Sequence, residues 1–156
     1  MLDRGRPIVQ TLGKSSFCPT GYARDVPFGC VERGLLSLLY FLPGQAMAPH
    51  RHMDADEYFT AIEGEADMVV NGNRVPLPPG HTFLRKRGTL HAIRNSGEGR
   101  LVVQSFQSPI PSDEATVWER VVWWTTGDAG MCCARCWCGQ RGEDACVNCG
   151  ARWKVR

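Results

Sequence analysis

From Gly34 to Pro109 the chain is cut by turn signals at short intervals, and this punctuation limits its fold more than any other feature. Pro43-Gly44, Glu63-Gly64, Asn71-Gly72-Asn73, Pro78-Pro79-Gly80 and Asn95-Ser96-Gly97 separate short apolar stretches. These lie at 35–42, 57–62, 66–70, 74–77, 82–84, 91–94 and 101–106. Stretches of this length suit strands, and Asn71-Gly72 is a strong two-residue hairpin signal because both residues tolerate positive φ. Many short strands in series predict an all-β sandwich or barrel. Residues 1–33 are mixed and read as short strands and loops. Pro109-Ile110-Pro111-Ser112-Asp113 marks an exit from the β region. Residues 115–126 carry Val117, Trp118, Val121, Val122, Trp123 and Trp124 at a spacing that fits a helix or a strand equally. A short linker, 127–130, follows.

The chain of 156 residues suits one domain and a small appendage, and its 43% apolar content is enough for one core. The net charge of +2 makes no electrostatic case for nucleic acid. No apolar run approaches the roughly 18–20 residues of a membrane span. The first residues lack the apolar core of a signal peptide, so the expected location is the cytoplasm.

Three of the four histidines, His50, His52 and His91, stand beside turn signals in the β region. On a strand, residues two apart face the same way, so His50 and His52 can grip one ion. Glu57 can return from the next strand and His91 from a separate hairpin. Three imidazoles and a carboxylate suit Fe, Zn, Mn or Ni as divalent ions.

The segment from Gly44 through His50, His52 and Glu57 to Gly64 resembles the first motif of the cupin family. The segment Gly80 … Gly88 … His91 … Asn95 resembles the second. One position departs: Lys86 stands where the family usually has proline, which touches loop shape and not metal ligation. The resemblance covers residues 34–109. It implies a cupin barrel (a double-stranded β-helix, or jelly roll) with His50, His52, Glu57 and His91 around one divalent metal. Cupin enzymes include dioxygenases, decarboxylases, isomerases, epimerases and lyases, and others that form N–N bonds; the fold does not choose among them.

With Glu57 facing inward, Phe59 should face in and Tyr58 out; His91 likewise sets Ile93 inward. The strand at 101–106 could present Gln104 or Ser105. Tyr40 could reach the cavity or simply pack in the core. Arg85, Lys86 and Arg87 form a basic triplet next to the loop that delivers His91. It reads as an anion clamp or, more simply, as a solvated loop. Tyr40, Lys86 and Gln104 are thus the candidates for catalysis. His81 reads as a surface residue.

Six of the eight cysteines fall between Cys132 and Cys149. Such clustering favours metal binding over a disulfide framework. Cys146-x-x-Cys149-Gly150 is a zinc-knuckle turn. Its partner is either Cys133 with Cys136 or Cys136 with Cys138. The tail resembles a short zinc ribbon, with four of Cys133, Cys136, Cys138, Cys146 and Cys149 on one structural zinc. Zinc supplies about 10–16 kcal/mol in such peptides, enough to fold a segment this small. Cys18 and Cys30 read as ordinary thiols.

The expected organisation is therefore a barrel with flanking strands over 1–126 and a Cys-rich module over 127–156. The expected function is a metal-dependent cupin enzyme acting on a small polar or anionic, amino-acid-like metabolite. A non-catalytic cupin that uses the ribbon to hold a protein partner is the alternative. Edge protection further suggests a homodimer.

Overall fold

The computed structural model describes residues 17–27, 30–118, 123–125 and 131–133. All of its regular structure is β. Two antiparallel sheets face one another. The first has the order β1-β3-β10-β5-β8, with β2 also on β3. Its strands are β1 (Ala23–Asp25), β2 (Cys30–Val31), β3 (Gly34–Phe41), β5 (Asp56–Glu63), β8 (Thr82–Arg85) and β10 (Leu101–Ser108). The second has the order β11-β4-β9-β6-β7. It is built from β4 (Ala46–His52), β6 (Ala66–Val70), β7 (Asn73–Leu77), β9 (His91–Asn95) and β11 (Thr116–Trp118). A separate hairpin pairs β12 (Trp123–Thr125) with β13 (Met131–Cys133). Residues 115–126, open to either reading in the sequence, thus contribute strand at 116–118 and 123–125. No helix among the described residues is long and apolar enough to cross a membrane.

Side chains that alternate inward along the strands make the core. Leu39 and Phe41 of β3, Phe59 and Ala61 of β5, and Leu101 and Val103 of β10 come from one sheet. Met47, Ala66, Met68, Leu77 and Ile93 meet them from the other. Phe59 and Ile93 are fully buried and Tyr58 is exposed, as the parity argument requires. Asn95 closes the end of β9. Its Nδ2 donates to the carbonyls of Phe41 at 3.1 Å and Gly99 at 2.8 Å, and its Oδ1 accepts from the Gly97 amide. The Asn71-Gly72 hairpin forms as expected: Val70 pairs with Asn73, and both loop residues have positive φ, 48° and 86°.

β4 is the element the apolar pattern missed, because only Met47 among its seven residues is a large apolar side chain. Its pairing with β9 shifts register between Met47 and His50. Met47 is buried in the core, yet His50 and His52 are buried on the same inward side. One extra residue in the strand is what allows that change of phase. Pro49 lies inside the irregularity, where the missing amide donor breaks no ladder bond.

Candidate metal centre

Each histidine of the set is held from behind. His50 Nδ1 donates to the Ala48 carbonyl at 2.9 Å and His91 Nδ1 to the Thr89 carbonyl at 3.1 Å. The hydroxyl of Thr116 donates to the Ser112 carbonyl, so it accepts from His52 Nδ1, at 2.9 Å. All three rings are therefore Nδ1–H tautomers, and all three turn an Nε2 lone pair inward. The register brings the carriers together: His50 lies opposite His91 across β4 and β9, and Thr116 opposite His52 across β11 and β4.

Glu57 completes the cluster from the facing sheet. Ligand atoms of His50, His52, Glu57 and His91 all lie within 4.8 Å of one another, and all four residues are buried. Glu57 Oε2 sits 3.4 Å from Nε2 of both His52 and His91. That distance is too long for a well-formed hydrogen bond, and neither Nε2 of these tautomers has a proton to donate. His91 Nε2 is in fact buried with no hydrogen-bond partner.

Burial, reinforced by the neighbouring His91, pushes the His50 pKa down to about 3. Burial lowers that of His91 as well, against the pull of Glu57. Both rings are thereby kept neutral, the state in which imidazole ligates metal. For Glu57 burial acts upward, but the adjacent His52 and His91 and the Ser105 hydroxyl outweigh it. The carboxyl stays well below the usual range and is ionised.

The carboxylate has two fixed partners. Ser105 Oγ donates to Oε1 at 2.6 Å, and Arg85 Nη2 donates to Oε2 at 3.0 Å. Arg85 is 1% exposed; its Nη1 donates to the Ala55 and Lys86 carbonyls. Arg85 pairs with Glu57 in register across β8 and β5. A buried arginine without a counter-charge would be far too costly, so the two residues need each other.

Three neutral imidazoles and one oriented carboxylate fit a divalent first-row ion. The buried, unpartnered His91 Nε2 is the observation that decides the fit, since nothing among the described residues satisfies it.

His50, His52 and Glu57 of the cluster form one wall of a cavity of about 500 Å³. Leu39 and Met47 form its apolar floor, and Tyr22, Ile110, Pro111 and Trp118 complete its wall. Trp118 stacks on His50 with centroids 4.4 Å apart. Arg24, on β1, lines the cavity and donates from Nε to Ser37 Oγ at 2.9 Å.

The three candidate catalytic residues do not reach this cavity. Tyr40 alternates with Leu39 on β3 and packs edge-on against Phe17, at 5.4 Å, on the other face. Gln104 sits on the outer face of β10 with Val102 and Phe106, whereas Ser105 and Gln107, of the opposite parity, face in. Lys86 is exposed, beyond the end of β8. The basic triplet divides: Lys86 and Arg87 are exposed, whereas Arg85 is buried at the centre. Arg85, Gln107 and Thr116 are the residues that sequence reasoning overlooked. For Gln107 a signal existed, since it lies two residues beyond Ser105 and must share its face. Of the zinc cysteines, Cys133 ends β13, while Cys136, Cys138, Cys146 and Cys149 lie outside the described residues.

Residues 37–106 match the family model for the cupin domain. The chain belongs to the cupin superfamily. Among solved structures, this cupin is similar to TT1209 from Thermus thermophilus, with 30% identity and a TM-score of 0.59. The match covers 62% of this chain and 91% of that one. A Klebsiella pneumoniae protein described by its double-stranded β-helix domain shares 27% identity, with a TM-score of 0.56. There the match covers 59% of this cupin and 75% of the other chain. KdgF from a Halomonas species is 23% identical, with a TM-score of 0.53, over 61% of this cupin and 84% of that chain. At that identity the likeness shows the fold alone. No curated protein matches this cupin.

Proposed function

We propose that this cupin is a metal-dependent enzyme that holds one divalent ion through His50, His52, Glu57 and His91 and acts on a small polar or anionic metabolite. The buried, unpartnered Nε2 of His91, facing an ionised Glu57, is the observation that carries the reading. A bound ion would supply Lewis-acid chemistry, with O2 chemistry added if it is iron.

The chain's own residues do the rest. Ala48, Thr89 and Thr116 fix the three tautomers and ring directions. Arg85 and Ser105 hold both oxygens of Glu57, so the carboxylate cannot swing out of the site. The apolar floor at Leu39 and Met47 and the Trp118 indole over His50 limit water on that side. The substrate enters the cavity between Arg24 and the histidines.

The reading keeps a structural zinc on four of Cys133, Cys136, Cys138, Cys146 and Cys149, in a module that could also hold a protein partner. The test is metal content per chain, on protein purified without oxygen or added metal. It is repeated on His50→Ala and on the double variant Cys146→Ser with Cys149→Ser. The expected result is one metal lost with His50→Ala and a different one lost with the cysteines. Iron at the histidine site directs a substrate screen to O2 consumption; zinc directs it to lyase, isomerase or bond-forming products. A histidine site that stays empty would sink the enzyme and leave a non-catalytic binding cupin.

A further inference from the structure

Gln107 stands out among the inward residues of β10. It is 5% exposed and lines the cavity, so its carboxamide lies in the interior. Its Nε2 is 2.9 Å from His52 Nε2, and its Oε1 is buried with no partner among the described residues. The Nδ1 of His52 already donates to Thr116, so His52 Nε2 carries a lone pair and Gln107 donates to it. That lone pair is the one a metal ion would take. A filled site therefore leaves the Gln107 amide with neither its hydrogen-bond acceptor nor a donor for its carbonyl, in a place where unpaired polar groups are costly. The amide then needs a new partner beside the ion, and the cavity is where a ligand can supply one.

Charge indicates what kind. Glu57 is matched by Arg85 at 3.0 Å. The remaining charged residues of the cavity wall are Arg24 and Asp113, of opposite sign. The wall thus leaves the charge of a divalent ion uncompensated, which favours a negatively charged ligand.

From this we infer that Gln107 is a ligand-positioning residue that changes partner when the site fills: it releases His52 and donates to an oxygen of a small carboxylate held at the metal. The inference rests on the metal-centre reading above and deepens it by naming the ligand class. Ser105 does not compete for the role, because its hydroxyl is committed to Glu57.

The test uses full-length protein loaded with cobalt(II), in which the histidine site is the part of the visible absorption lost in His50→Ala. Lactate and its neutral isostere lactamide are the probes. Gln107→Met keeps the side-chain length and removes the donor. Cobalt affinity, from chelator competition, is expected to stay within about threefold of wild type, since the amide only competes for His52. Lactate binding is expected to weaken by about tenfold or more in Gln107→Met, and wild type should prefer lactate to lactamide. Unchanged lactate binding in Gln107→Met would overturn the inference. So would a loss of cobalt affinity of about tenfold or more, which would make Gln107 a prop for His52. A loaded wild type that ignores lactate, or prefers lactamide, overturns the ligand class. A wild type with no cobalt at the histidine site fails one step earlier, at the metal-centre reading, and takes this inference with it.

Discussion

Arg85 and Thr116 govern the site through the ligands they hold, Glu57 and His52. Arg85 keeps company with Glu57 where water cannot reach either of them. Arg85→Met would strand the carboxylate, and such a loss costs about 3–5 kcal/mol of stability. Urea unfolding of the metal-free protein should show it, and a variant as stable as wild type would mean that Glu57 finds another partner. Thr116→Val keeps the shape but removes the acceptor of His52 Nδ1–H. The fold should persist while metal affinity falls roughly 10–100-fold, read by chelator competition. An unchanged affinity would show that the register of β4 alone orients His52. Both residues were hard to read in the sequence. An Arg-Lys-Arg run looks solvated until the pairing of β8 with β5 puts its first member opposite a carboxylate. Thr116 is 64 positions from His52, so only the return of β11 onto β4 reveals the bond.

At the scale of elements, strand phase is what turns residues into a site. β10 reads Leu101-Val102-Val103-Gln104-Ser105-Phe106-Gln107-Ser108, with apolar side chains on both faces. Val102 and Phe106 balance Leu101 and Val103, so the sequence pattern does not choose between Gln104 and Ser105. The tertiary answer is set by the second sheet, which packs over the odd-numbered face of β10 while β3 and β5 pair with its edges. The bulge in β4 makes the same point, since no period-2 pattern predicts a strand that changes phase midway. Turns were more legible, because positive φ has few residue solutions. Gly64 has φ of 78°, and a Cβ there would also collide with the Arg100 carbonyl. Gly72 has φ of 86° with open space around it. Gly64→Ala should therefore exceed the roughly 1–2 kcal/mol cost of the left-handed conformation alone, and Gly72→Ala should stay near it. Equal denaturation midpoints for the two variants would contradict the close approach at Gly64.

For the whole molecule, two dependences follow from a neutral, buried histidine cluster. His50 takes up its proton near pH 3 in the fold but near 6.5 when unfolded. Between those values the unfolded chain binds more protons, so stability is present above 6.5 and declines as pH falls. His91 acts in the same direction, and Glu57 adds its loss at lower pH still. The urea midpoint of the metal-free protein should drop steadily from pH 7 to pH 4.5, and a flat profile would mean that the rings are not buried. A metal that binds only the native state adds about 2.7 kcal/mol at a hundred times its Kd. Thermal melts should therefore rise on loading, return with a chelator, and show no rise at the barrel site in His50→Ala. The all-β class, the turns and the identity of His50, His52, Glu57 and His91 as a set were all legible in the linear chain. Those properties are local: they depend on spacing, on residues that accept positive φ, and on side chains that can ligate. Packing settled which further residues complete the site, namely Arg85, Ser105, Gln107 and Thr116. Their roles come from strand register and from burial, and both are properties of two sheets packed together, which no single stretch of chain contains.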